Sequence, residues 1–168
     1  FDKKITTINK ISQSLTGKFN SQNILAAYTV SQILGLDVNI FLEIIGSFIG
    51  LPHRLERIIN NNNLEVINNS KATNLDSTIK SISNYKNIYL IIGGQAKEKN
   101  FSSLINFKKN IIKCYIIGES SDFIYKQINS SINSIKSLNL ADALKEIFIE
   151  IRSSKTKSTI LFSPGCSS

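Results

Sequence analysis

Arg54, Lys71, Thr73 and Lys97 are the residues of this sequence whose types and settings could do chemistry on an anion. Arg54 directly follows the Leu51-Pro52-His53 turn, and a planar guanidinium held there offers paired donors to a phosphate. Lys71 and Thr73 add an ammonium and a hydroxyl suited to a carboxylate, within the run Asn68-Asn69-Ser70-Lys71-Ala72-Thr73. Lys97 closes the run Gly93-Gly94-Gln95-Ala96-Lys97. On local evidence Arg54 equally suits a surface pair with Glu56, and Lys71 and Thr73 suit any polar loop. Nucleophilic chemistry is a poor fit, because Cys166 has no motif that would bring it a histidine base. His53, the single histidine, reads as a turn residue shaping the loop that carries Arg54. One histidine and two cysteines make no His/Cys metal set, so neither a protein-derived catalytic group nor a metal ligand is assigned.

The elements that must position these groups begin with Gly50 to Asn74. Pro52 fixes its own φ and biases Leu51 towards an extended conformation. Two short apolar runs follow, Leu55 to Ile59 and Leu64 to Ile67, separated by Asn60 to Asn63. Asn tolerates the left-handed region and mimics turns with its side chain, so the segment predicts a β-hairpin. The second strand feeds the 68–73 loop, and a helix starts near Asn74 or Asp76. A strand, a polar loop and a helix N-terminus in succession make an anion site, since free backbone N–H groups point outwards there.

Beyond the hairpin, β-branched runs without polar alternation (Ile88 to Ile92, Ile111 to Ile117, Ser158 to Phe162) predict strands buried on both faces. Between them lie amphipathic segments at 77–83, 101–107 and 122–128, and one at 140–151 with the stripe Leu140, Ala143, Leu144, Ile147, Ile151. Repeated strand–helix–strand units imply a Rossmann-like open, mostly parallel α/β sheet with flanking helices. In such a sheet ligands sit at the carboxyl ends of the strands. That rule places the loops Gly93–Lys97 and Ser163–Ser168 on the same edge as Ser70–Thr73. Upstream, residues 21–34 carry Ile24, Ala27, Tyr28, Ile33 and Leu34 close to a helical stripe ended by Gly35. A second helix starts after Asp37 or Asn39 and runs through Phe41, Ile44, Ile45 and Phe48. With any strand in Lys4 to Ile8, these look like the end of a preceding domain. The expected division is 1–49 and 50–168.

A formal charge of +8 and a pI near 9.5 raise nucleic acid or a membrane surface as partners. The cations are spread along the chain, however, and no zinc knuckle, RNA-binding aromatic pair or basic helix is present. Two cysteines far apart, Cys114 and Cys166, fit a reducing compartment. The apolar runs fall short of the roughly 18 residues of a membrane span, so the cytoplasm is expected. At 168 residues the chain could bury about 70% of its unfolded surface. It has no Met and runs from Phe1 to Ser168, and it is read as a fragment.

Leu51-Pro52-His53-Arg54, with Glu56, followed by Asn68-Asn69-Ser70-Lys71-Ala72-Thr73-Asn74, closely resembles the Mur ligase family, in the pattern LPHRxE and then NDSKATN of its D-glutamate-adding branch. Folylpolyglutamate synthases share the Arg-x-Glu pair but not the second loop. The resemblance extends to Gly93–Lys97 (GGxxK), to Ser163–Ser168 (SPACA followed by Ser) and to Gly17–Asn23 (GxHNxxN). The chain departs from the family at Asn69, which replaces an Asp, and at Phe19, which replaces a His.

The resemblance implies the end of a central ATP-binding domain followed by a truncated amino-acid-binding domain. It implies an ATP-dependent ligase of bacterial peptidoglycan synthesis, hence of cell shape and division, joining D-glutamate to UDP-N-acetylmuramoyl-L-alanine through an acyl phosphate. It places Arg54, Asn20, Asn23 and Asn69 on the ATP side, Asn20 and Asn23 being equally a plain helix N-terminus. Lys71, Thr73, Lys97 and Ser168 fall on the D-glutamate side. Mg2+ is implied with ligands mainly upstream, since no GxxxxGK[ST] loop occurs here, and a monomer inactive by itself is expected. The alternatives are another Mur-type amino-acid ligase or a non-catalytic Rossmann-like nucleotide-binding module.

Overall fold

The computed structural model describes residues 12, 15, 18–154 and 156–167, with the side chains of 18 and 19 set aside. The strand expected in Lys4 to Ile8 lies outside the described residues. The chain divides into two compact units between Gly50 and Leu51.

The first unit holds two helices, α1 (Lys18–Ile33) and α2 (Val38–Ser47). α1 stops at Gly35, whose φ of 74° lets Gly35 N–H donate to Gln32 O (3.1 Å) and Leu36 N–H to Ser31 O (2.9 Å). This pair of bonds is the Schellman arrangement that satisfies the last carbonyls of a helix. Asp37 then caps α2, accepting from Asn39 N–H at 2.8 Å. Ile24, Phe41 and Ile45 are buried, and Tyr28 meets Phe41 edge to face at 5.2 Å. Of the expected α1 stripe only Ile24 is buried and Tyr28 partly so, while Ala27, Ile33 (78%) and Leu34 (79%) are exposed. At about 100° per residue, Ile33 lies half a turn round the helix from Ile24.

The second unit is a six-stranded sheet: β1 (Glu56–Asn60), β2 (Leu64–Asn68), β3 (Ile88–Gly93), β4 (Ile111–Ile117), β5 (Ser134–Lys136) and β6 (Ser158–Phe162), in the spatial order β1-β2-β6-β3-β4-β5. All neighbours are parallel except the β1–β2 hairpin. The hairpin turn is held by Asn61, whose Oδ1 accepts from Asn63 N–H (3.0 Å) and Leu64 N–H (2.8 Å). β3 is buried throughout, as its unbroken apolar run requires.

Alternation along the central strands sends side chains to two cores. Leu90, Ile92, Cys114, Ile116 and Leu161 pack with residues of α3 (Leu75–Ile82) and α4 (Ser121–Ile128) on one face. Tyr89, Ile91, Tyr115 and Ile160 pack with Ala143 and Ile147 of α5 (Leu140–Ile151) on the other. The 101–107 segment is a 3-10 helix over Ser102–Phe107. Its buried pair Phe101 and Leu104 has the i, i+3 spacing that a three-residue turn eclipses. β5 was not anticipated, being three residues with only partial burial. No helix among the described residues is long and apolar enough to cross a membrane.

Truncation of Ile147, fully buried under the sheet, to Ala should cost about 2–5 kcal/mol in thermal or denaturant unfolding. Ile149→Ala, on the same helix but 67% exposed, should stay within about 0.5 kcal/mol.

Candidate functional site at the carboxyl edge of the sheet

Asn68 stands opposite Phe162, and Phe162 opposite Ile91, so the loops after β2, β6 and β3 leave one edge side by side. Main-chain bonds then tie them together. Asn69 N–H donates to Phe162 O (2.8 Å), Gly165 N–H to Ala72 O (2.8 Å), and Gly93 N–H to Pro164 O (2.9 Å). Gln95 and Ser167 exchange two bonds of 2.9 and 3.0 Å. A Cβ built on Gly93 would lie 2.0 Å from Ile117 O, and one on Gly94 would lie 2.6 Å from Ser167 O. The two φ values, 123° and 136°, suit glycine alone. Gly118, which follows β4, approaches the same main chain, its would-be Cβ lying 2.8 Å from Gly94 Cα.

The turn before β1 is built from its own strain. His53 (φ 64°) and Leu55 (φ 49°) flank Arg54 in left-handed conformations that cost non-glycine residues about 1–3 kcal/mol each. Four contacts hold them. His53 N–H donates to Glu56 Oε2 (2.9 Å), Asn68 Nδ2 donates to His53 Nδ1 (2.9 Å), Lys71 N–H donates to His53 O (3.1 Å), and Leu55 N–H donates to Asn69 Oδ1 (3.2 Å). Glu56 also accepts from Asn68 Nδ2 at 3.1 Å. The carboxylate is therefore spent on the turn, and Arg54, whose main-chain N–H donates to Leu51 O (3.3 Å), has an exposed guanidinium that makes no hydrogen bond or ion pair among the described residues.

Lys71, Thr73 and Lys97 have exposed side chains at this edge, while Ala72 between the first two is buried. Asn69 is different. It is 8% exposed, with Nδ2 donating to Ser163 Oγ at 3.1 Å and Oδ1 turned to Leu55. Ser163 Oγ in turn donates to Thr78 Oγ1 (3.1 Å), and the Thr78 hydroxyl donates to Ser163 O (3.2 Å). Ser81 Oγ lies 3.2 Å from Ser163 Oγ, completing a small buried polar cluster. Sequence reading missed this cluster, because no spacing rule links residues 69, 78, 81 and 163.

It also misjudged the N-terminus of α3. Asn74 caps the helix, accepting from Ser77 N–H at 2.8 Å, and Glu98 Oε1 accepts from Leu75 N–H at 2.8 Å. A carboxylate already occupies the position where an anion was expected, so the cations of this edge are the side chains of Lys71 and Lys97 rather than the helix start. Asn20 and Asn23 lie in the first unit on α1, with Asn23 Nδ2 3.5 Å from Asn20 Oδ1. Ser168 and Gly17 lie outside the described residues. No group of three or more His, Cys, Asp or Glu side chains gathers among the described residues.

Cys166 is buried (1% exposed), and burial, with a smaller contribution from the Glu98 charge, pushes its thiol up to about 11. A thiol kept neutral by burial is a poor nucleophile.

The fold is similar to that of solved ligases. The fold matches UDP-N-acetylmuramate-alanine ligase MurC from Thermotoga maritima with a TM-score of 0.71 at 17% identity, over 90% of this chain and 35% of that one. It matches MurF from Acinetobacter baumannii equally well, with a TM-score of 0.71 at 16% identity, over 89% of this chain and 36% of that one. No family model matches the chain. Over the segment it spans, the chain belongs to the Mur ligase family.

Its sequence relatives within the family are UDP-N-acetylmuramoylalanine–D-glutamate ligases. That of Wolbachia from Brugia malayi is 40% identical over 149 residues, 89% of this chain. That of Clostridioides difficile is 35% identical over 171 residues, 99% of this chain. The chain spans 30% of the length of the first relative and 37% of the second, about a third of each.

Gly93→Ala should destabilise the second unit by about 3 kcal/mol or more, since both the φ and the contact with Ile117 O oppose a side chain. Calorimetry or denaturant titration checks it. Cys166 should resist maleimide in the native protein at pH 8, where a thiol titrating near 11 is about one part in a thousand thiolate. Its labelling should rise steeply towards pH 11, or at once on unfolding.

Proposed function

We propose that this chain is the amino-acid-binding portion, with the end of the ATP-binding portion, of an ATP-dependent ligase joining D-glutamate to UDP-N-acetylmuramoyl-L-alanine. In the reaction the L-alanyl carboxylate attacks the γ-phosphorus of ATP and ADP leaves. The D-glutamate amine then attacks the acyl phosphate carbon, an amide forms and phosphate departs. The observation that carries this reading is the exposure of Lys71, Thr73 and Lys97 on loops of one sheet edge, with the Arg54 guanidinium exposed on the turn tied to it.

Each residue has a part that its chemistry supports. Arg54 holds ATP phosphate through a bidentate guanidinium, which a lysine would not reproduce. Lys71 and Lys97 supply positive charge to the two carboxylates of D-glutamate, and Thr73 supplies a hydroxyl donor, with Ser168 assigned by resemblance to the same substrate. Asn20 and Asn23 are assigned to the adenine, also by resemblance. Preorganised cations of this kind stabilise a phosphoryl group and an incoming dianion without reorganisation cost at the moment of reaction. Mg2+ would be held mainly by upstream residues of the longer protein together with the ATP phosphates, since no group of three or more His, Cys, Asp or Glu side chains gathers among the described residues. The setting proposed is the bacterial cytoplasm, with the protein acting as a monomer.

The test is phosphate release by the protein at the full length of its relatives, supplied with ATP and UDP-N-acetylmuramoyl-L-alanine, across a panel of amino acids. Release with D-glutamate and not with L-alanine or L-lysine supports the proposal. ATP binding without phosphate release would sink it. Lys71→Ala and Lys97→Ala should each raise the D-glutamate KM roughly ten- to a hundredfold, the equivalent of one charge-assisted hydrogen bond of about 1.5–3 kcal/mol. Arg54→Lys should lower kcat/KM for ATP by roughly tenfold while leaving the D-glutamate KM near its original value.

A further inference from the structure

Asn69 lies at the root of the 69–73 loop, and its buried side chain reaches two other segments. Leu55 N–H can only donate, so the bond to it fixes the amide oxygen towards the Arg54 turn and the amide nitrogen towards Ser163. Behind Ser163 stand Thr78 and Ser81 of α3, both buried and hydrogen-bonded to it. The amide therefore spans from a fixed polar cluster to a turn whose two residues beside Arg54, His53 and Leu55, both have positive φ. Such a turn keeps its form only where the surroundings impose it. Restraint on the His53 side comes from Glu56, Asn68 and the Lys71 main chain, and on the Leu55 side from Asn69.

The Lys71–Thr73 loop is held differently. Ala72 N–H donates to Asn69 O (2.9 Å) and Gly165 N–H to Ala72 O (2.8 Å), both main-chain bonds that survive loss of the Asn69 side chain. Truncating Asn69 thus frees the Leu55 side of the Arg54 turn and spares the loop beside it.

We propose that Asn69 is a positioning residue for ATP, which aims Arg54 by anchoring Leu55 to the Ser163 cluster. The proposal rests on the ligase reading above.

Two measurements test it, one of them independent of ligation. In the 168-residue chain, Asn69→Ala should accelerate hydrogen exchange at the Leu55 amide while Ile67 and Leu161 stay protected. Asn69→Asp, which keeps an acceptor for that amide, should restore protection. Unchanged exchange at Leu55 overturns the proposal whatever the protein catalyses. In the protein at the length of its relatives, Asn69→Ala should raise the ATP KM on the order of ten- to a hundredfold, as misplacement of a binding group does. The D-glutamate KM should move less than about twofold, and Asn69→Asp should recover the ATP KM. In an Arg54→Ala background Asn69→Ala should add nothing, because the two act as one unit. Ile147→Val serves as a control that lowers the melting temperature without shifting the ATP KM. If Asn69→Ala shifts the ATP KM no more than this control, or its loss multiplies with that of Arg54→Ala, the proposal fails while the ligase reading stands. If Leu55 exchanges as expected but the full-length protein does not ligate, the ligase reading fails and the role towards ATP goes with it. Should Asn69→Ala not fold, Asn69→Ser, too short to span from Ser163 to Leu55, takes its place.

Discussion

The site depends on how closely main chain approaches main chain at Gly93 and Gly94. With no Cβ in the way, the loop after β3 lies against Ile117 O on one side and Ser167 O on the other. That contact lets Gln95 and Ser167 pair as a two-residue extension of the sheet beyond its last strands. Lys97 is consequently carried by a segment with its hydrogen bonds already made, not by a loose loop. The same packing buries Cys166 and fixes the Ser163 end of the cluster that holds Asn69. Small residues at this edge are thus the means by which three loops from distant parts of the chain become one rigid rim.

Charge is sorted across that rim. Glu56 and Glu98, which would neutralise nearby cations, are turned inwards onto backbone N–H groups of His53 and Leu75. Each satisfies a donor that local geometry leaves without a partner, one in a strained turn and one at a helix start. Acids that complete the fold leave the bases of the same loops to the solvent side. The overall excess of +8 is therefore less informative than where the acids are spent.

Much of this was legible in the sequence because the signals were local. Unbroken β-branched runs announced β3, β4 and β6, four successive Asn residues announced the hairpin, and Asp37 and Asn74 announced helix starts. The carboxyl-edge rule for parallel sheets placed the loops at 70–73, 93–97 and 163–168 together from the strand pattern alone. What stayed hidden depends on tertiary context. The partners of Asn69 are 14 and 94 residues away, and a Glu four residues past a glycine pair gives no hint that it will reach a helix start 23 residues earlier. Ile33 and Leu34 looked like part of a buried stripe because they are apolar, although their angular position sets them apart from Ile24. β5 was too short and too mixed to carry a pattern.

The strand order has a consequence for how the chain acquires this structure. β6 comes after the other five described strands in chain order and sits between β2 and β3, pairing with both. Until it arrives, the hairpin and the β3–β4 pair cannot join, and each presents an unpaired parallel edge. Long-range closure of that kind is slow relative to local helix formation, and open strand edges invite pairing with other chains. During synthesis the second unit would therefore pass through a stage with its helices formed and its sheet in two halves, most vulnerable to aggregation just before residues 158–162 emerge.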